Sequence, residues 1–198
     1  MPTVHAQPDR RTVILETAAE LFARQGITGT TVRDIADKVG MLSGSLYHHF
    51  PSKDAMVEAI LGEYVDDIVE RYAAVVAEVA EPRQRLDRLI HVSIETAFAH
   101  PHATEIYQAN APQLAESGSA ALKAGARSIQ QTWLSTIKDG VAAGVLRDDV
   151  EANVFYRMLR DALWLSVRWY RPRRGGSSVE KLADDCTAIF LEGFTRRP

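Results

Sequence analysis

The chain has 198 residues, 46% of them hydrophobic, with a formal net charge of −3 and a single cysteine. That is enough apolar material for a sizeable core. One cysteine excludes an internal disulfide and fits a reducing cytoplasm, and no apolar run approaches the roughly 20 residues that span a bilayer. The opening MPTVHAQPDRR lacks the apolar stretch of a secretory signal. From there on the pattern is helical.

Val13, Leu15, Ala18, Ala19, Leu21, Phe22 and Ala23 recur at three- and four-residue steps and predict a first helix from about Arg10 to Gly26. Thr31-Val-Arg-Asp34 has the form of a capping box and opens a short second helix that Gly40 closes. Ser43 begins a third, stopped at Phe50-Pro51. Ser52 then caps a long fourth helix, from Lys53 to about Ala80, whose apolar positions include Met56, Ile60, Leu61, Tyr64, Val65, Ile68 and Tyr72. Glu81-Pro82 breaks the pattern, and further helices are expected over about 82–99, 101–116, 119–143, 150–170 and 178–195. The expected fold is all-α with about nine helices, three in a head (residues 1–52) and six in a body (residues 53–198). No strand alternation, internal repeat or low-complexity tract is visible.

Val32 to His49 reads VRDIADKVGMLSGSLYHH. Two helices that cross steeply need a small side chain at the crossing, which Ala36 supplies. The tight turn favours Gly40, which has no Cβ to clash at positive φ. Ile35 and Leu46 fill the wedge between the helices. This spacing is that of a helix-turn-helix, although a plain helical hairpin would share it. The third helix then offers Ser43, Gly44, Ser45, Tyr47, His48 and His49 to the outside, residue types that bond phosphates or reach base edges in a major groove. Thr31 and Arg33, at the entrance of the second helix, join them as DNA-contact candidates. Lys53 does too, because a cation in the first turn of a helix is unfavourable unless an anion such as phosphate compensates it. From Arg10 to Lys53 there are six Lys/Arg against four Asp/Glu.

In the body the helix from about Val150 to Tyr170 is the most informative. On a helical wheel Phe155, Met158, Leu159, Ala162, Leu163, Leu165 and Trp169 fill one apolar arc, while Trp164 falls opposite, among Arg157, Arg160, Asp161 and Arg168. Arg160 and Trp164 stand one turn apart. A planar ring beside a guanidinium suits an acidic, partly apolar ligand, or else cation–π packing at a dimer seam. Phe98, Tyr107, Trp133, Ile137 and Tyr156 are candidate cavity-lining residues, with plain core packing as the alternative. His91, His100 and His102, with Glu105, match no zinc-ligand spacing. Cys186 reads as a small buried hydrophobe. Arg171, Arg173 and Arg174 make a basic loop that could lie near a ligand phosphate. No phosphate loop, nucleophile elbow or carboxylate pair is present, so neither a catalytic residue nor a cofactor is expected.

The stretch TTVRDIADKVGMLSGSLYHHFPSKDAMV resembles the head of the tetracycline-repressor-type (TetR) family, with Ala36, Gly40, Ser43, Leu46, Tyr47, Phe50 and Lys53 standing where that pattern has them. The resemblance implies a cytoplasmic homodimer that binds a palindromic operator in double-stranded DNA, its half-sites about 34–36 Å apart. RDALWLSVRWYRP (160–172) and LSGSLYHHF are similar to the KstR-type branch, repressors of steroid and cholesterol catabolism. This implies an acyl-CoA inducer derived from steroid-ring breakdown, with Arg160 and Trp164 as ligand residues. Leu163, Trp169, Leu182, Ile189, Phe190 and Phe194 resemble the family's four-helix dimer seam. A different inducer (a fatty acyl-CoA or an antibiotic), an activator, and an all-α enzyme or carrier with a vestigial head remain the other readings.

Overall fold

The computed structural model describes residues 9–172 and 177–194, without the side chains of Pro112, Ala115 and Phe194. Arg173 and Arg174 of the basic loop therefore lie outside the described residues, as does the Phe194 side chain of the expected seam. Nine helices are present among the described residues: α1 (Arg10–Gln25), α2 (Val32–Lys38), α3 (Ser43–Leu46), α4 (Lys53–Glu78), α5 (Pro82–Ala99), α6 (Pro101–Ser117), α7 (Ala120–Ala142), α8 (Ala152–Trp169) and α9 (Val179–Phe194).

Local chemistry sets most of these ends. Thr31 Oγ1 accepts from Asp34 N at 3.1 Å while the Thr31 N–H donates to the Asp34 carboxylate at 2.8 Å, so the expected capping box is formed. Ser52 and Ser119 cap α4 and α7 by accepting from Ala55 N and Leu122 N. Pro82 and Pro101 occupy the first positions of α5 and α6, where a missing N–H costs nothing. The third helix is shorter than its sequence suggested. Regular α geometry ends at Leu46, and the chain winds on through bonds from His48 N to Ser45 O, His49 N to Leu46 O and Phe50 N to Leu46 O. Buried Phe50 then closes the head.

α5 is the central helix of the body. Leu86, Leu89, Ile90 and Ile94 are fully buried, and α4, α6, α7, α8 and α9 all pack on it. α4 runs from the head along α7, and their close approach requires Gly125, where an added Cβ would overlap Val65 Cγ1. α1 also packs on α6, so head and body touch at a second place. Between α4, α5 and α7 lies a buried polar trio. Trp133 Nε1 donates to Tyr72 Oη at 3.2 Å, and Ser93 Oγ donates to Leu89 O at 2.6 Å. The 2.5 Å contact between Tyr72 and Ser93 is therefore a bond from the phenol to the serine oxygen.

Candidate DNA-binding head and ligand cavity

In the head, Ile35, Ala36 and Leu46 are completely buried at the crossing of α2 and α3, and Gly40 turns at φ +67°. That geometry leaves Thr31, Arg33, Gly44, Tyr47, His48 and His49 exposed and Ser43 and Ser45 half-buried. Leu42, just before α3, is 79% exposed and was absent from the sequence candidates. Its signal was readable: an apolar residue outside the wedge positions has no core to enter.

The head's cations are less available than their number implied. Arg10 donates to Val39 O, Arg11 lies 4.9 Å over the Phe50 ring, and Lys38 and Arg24 share Glu20. Lys53 is the clearest case. Its ammonium donates to Ile27 O at 2.6 Å and Thr30 O at 3.0 Å, tying the α1–α2 loop to the start of α4. The compensation that the sequence assigned to a DNA phosphate is thus supplied by two backbone carbonyls. Arg33 keeps only a loose contact with Asp37, at 3.8 Å.

In the body, α4, α6, α7 and α8 enclose a cavity of about 220 Å³. Tyr107, Tyr156, Arg160 and Trp164 line it, four of the five residues singled out for ligand binding. Trp133 does not. It is 2% exposed, spends its N–H on Tyr72, and leans on Tyr156 from behind. Of the other lining candidates, Ile137 is plain core and Phe98 packs edge-on to Tyr170, away from the cavity. Trp164 is only 4% exposed and packs edge-on to Tyr64 at 5.8 Å, so this tryptophan is interior and cannot serve as an exposed seam residue. Arg160 hydrogen-bonds Asp161 and sits 6.0 Å over the Tyr156 ring. Burial pushes the Tyr156 phenol up to about 12 and raises that of Tyr107, with Arg160 opposing both shifts, so both rings present neutral hydroxyl donors. No Asp or Glu is among the cavity's lining residues. An apolar, aromatic floor with two guanidinium groups, of Arg157 and Arg160, and two phenols suits a ligand that is largely apolar and carries an anionic or carbonyl group.

Two larger clefts, of about 270 and 400 Å³, lie where head meets body. Glu16 and Glu63 line the first, Asp54 and Glu58 the second, which disfavours an anion in either. The histidines are dispersed. His91 lies between Asp87 and Asp184, and His100 beside Asp67 and the Tyr64 ring. Cys186 is buried. Arg171 turns back onto the Val167, Arg168 and Tyr170 carbonyls and so closes the end of α8.

The seam residues also separate. Leu163 and Leu182 are buried within the chain and so are not surface contacts, and Phe190 packs half-buried on Phe155. Trp169 and Ile189 are exposed, together with Val154 and Met158 on α8. Apart from Val76, these are the large apolar side chains that the body exposes among the described residues.

Residues 14–60 match the family of bacterial regulatory proteins described as the tetR family, and residues 79–194 match the tetracyclin repressor-like C-terminal domain. The chain is 41% identical over 187 residues to the HTH-type transcriptional repressor KstR2 of Rhodococcus jostii, covering 93% of this chain and 91% of that one. It is 39% identical to KstR2 of Mycolicibacterium smegmatis, covering 98% and 96%. The solved structure of the ketosteroid transcriptional regulator KstR2 of Mycobacterium tuberculosis superposes with a TM-score of 0.88 at 38% identity, covering 97% of this chain and 98% of that one.

Proposed function

Because this chain belongs to the tetR family of bacterial regulators, as a repressor homologous to KstR2 and not an enzyme, we propose that an acyl-CoA thioester from steroid-ring breakdown releases it from a palindromic operator. Residues 1–52 are the DNA-binding unit in this reading, and 53–198 sense the ligand and form the dimer, in the cytoplasm. Tyr47, His48, His49, Ser43, Gly44 and Ser45 face the major groove, with Thr31 and Arg33 on the flanking phosphates. Lys53 keeps the α1–α2 loop in place, leaving few direct phosphate contacts and a shallow salt dependence. The apolar side chains of Val154, Met158, Trp169 and Ile189 cover each other across a two-fold axis, as an obligate interface requires.

The observation that carries the release mechanism is the position of Tyr64. This side chain lies on α4, the helix that begins at Lys53. It touches the cavity residues Trp164 and Tyr107 at 5.8 and 6.0 Å, and it also lines the cleft against Leu15 and Ala19 of α1. A ligand that displaces Trp164 or Tyr107 therefore pushes on the helix that holds the head. Packed interiors answer such a push by switching arrangement, because they deform little. The ligand acts as a switch to the extent that it prefers the arrangement that does not fit DNA.

The test is release of a labelled operator duplex by a panel of acyl-CoA thioesters, with steroid-ring, fatty and short branched acyl groups. The steroid-ring thioester is expected to release wild type and to fail on Arg160→Gln, which keeps its operator affinity. Release by a fatty acyl-CoA alone would transfer the assignment to that ligand. Loss of the dimer in Arg160→Gln would return the residue to the seam.

A further inference from the structure

Leu42 is 79% exposed, the most open of the large apolar side chains among the described residues. Val154, Met158, Trp169 and Ile189 share the face assigned above to the dimer, and Tyr47 carries a hydroxyl that can hydrogen-bond. Leu42 lies in the head, away from that face, and has no polar atom to offer. Its backbone fixes where it points. The residue is extended, at φ −74° and ψ 140°, and its carbonyl accepts from Ser45 N at 2.9 Å and Leu46 N at 3.3 Å, which anchors it to the first turn of α3. Successive side chains along an extended link point to opposite sides. Met41 takes the inward side, packed on the core with Arg10 Nε on its sulfur at 3.3 Å, and Leu42 takes the outward one.

The chain beside Leu42 is low. Ser43, Gly44 and Ser45 follow it, none with a long side chain. An added Cβ at Gly44 would meet nothing within 4 Å, and its φ is not positive. The fold therefore does not demand glycine there, although glycine weakens a helix. What the missing Cβ leaves is room for another molecule to approach the backbone closely. Leu42 is the one long side chain that stands over this low stretch, and Tyr47, His48 and His49 are exposed further along it. A leucine cannot pair with the donors and acceptors of a base edge. Set against a phosphate, it would strip water from the anion and return no hydrogen bond. One feature of the major groove is apolar, the C5-methyl group of thymine. Contact with that methyl removes both apolar surfaces from water.

We propose that Leu42 is a specificity residue that packs on the C5-methyl group of one thymine in each operator half-site. This rests on the DNA-reading head above and adds to it the base that one position of the half-site demands. The contact is separable from readout by hydrogen bonds. Uracil differs from thymine by that methyl alone and keeps every donor and acceptor, so exchanging the two bases changes only what Leu42 touches. Leu42 is also separable from the fold, because a side chain this open holds little of the head together.

The probe is a duplex that the purified full-length dimer itself selects from a randomised pool. Each symmetric pair of thymines in that duplex is changed in turn to deoxyuridine, and binding is measured for wild type and for Leu42→Ala. In wild type one pair should weaken binding roughly tenfold, from about fourfold for the methyl lost in each half-site. Leu42→Ala should bind the thymine duplex at least as weakly as wild type binds the uracil one. It should be indifferent to uracil at that pair and melt at the temperature of wild type. No sensitive pair in wild type, or a sensitive pair that stays equally sensitive in Leu42→Ala, overturns the role of Leu42 and leaves the DNA-reading head standing. If the dimer selects no common sequence, the DNA-reading head falls and this contact with it. A lowered melting temperature with an equal loss of binding to every duplex in Leu42→Ala would make the residue a support of α3 instead of a reader of thymine.

Discussion

Replacing Lys53 by Met keeps the side-chain stem and removes the ammonium, which separates two roles that the sequence could not. The ammonium holds Ile27 O at 2.6 Å and Thr30 O at 3.0 Å. A hydrogen bond to a charged group contributes about 1.5–3 kcal/mol when buried. This site is half-exposed, so the pair together is worth about 2 kcal/mol, and for a chain of this size that lowers Tm by about 4–8 °C. The Lys53→Met dimer, melted at fixed protein concentration, should show that shift. Its operator affinity should fall by a similar factor at every salt concentration, because the α1–α2 loop that leads into Thr31 and Arg33 is loosened and no phosphate contact is lost. An unchanged Tm, with a slope of log affinity against log salt reduced by about one, would refute this reasoning. It would make Lys53 a phosphate ligand after all.

Gly125→Ala drives a methyl into Val65 between α4 and α7, and overpacking of this kind costs about 1–3 kcal/mol; the melting temperature should drop without loss of secondary structure by circular dichroism. Tyr72→Phe leaves the buried Trp133 N–H with no acceptor while Ser93 keeps Leu89 O, so chemical denaturation should show a loss of about 1–3 kcal/mol with ligand affinity little changed. The Asp34 carboxyl is held below its ordinary 3.8 by hydrogen bonds from the Thr31 hydroxyl and backbone N–H. Its capping contribution is therefore complete above the unfolded value and lost as pH falls through the folded one. The difference in Tm between wild type and Asp34→Asn should shrink as the pH is taken below 3.8, and a constant difference would contradict the capping assignment.

The helices were legible because their punctuation is local. Thr31, Ser52, Pro82, Pro101 and Ser119 each act within one turn of their own position, so spacing alone located the ends. The wedge of Ile35, Ala36, Gly40 and Leu46 was legible for the same reason. What escaped depended on distant partners. The carbonyls that satisfy Lys53 come from 26 and 23 residues away. Trp164 fell among arginines on the wheel, but α8 has two inward sides, one on the core through Leu159 and Leu163 and one on the cavity through Tyr156 and Trp164. A single apolar arc cannot represent a helix covered on two sides. The same arc merged Met158 and Trp169, each 64% exposed, with the fully buried Leu159 and Leu163, so the exposed seam candidates could not be told from the core.

Reciprocal linkage between the two sites is the most direct test of ligand-controlled release. Operator affinity of the purified dimer is measured with and without saturating steroid-ring acyl-CoA, and affinity for that thioester is measured with and without operator. Each should weaken the other by the same factor, about 5- to 150-fold. Two ligands that bind the dimer together, each at undiminished affinity, would contradict the account.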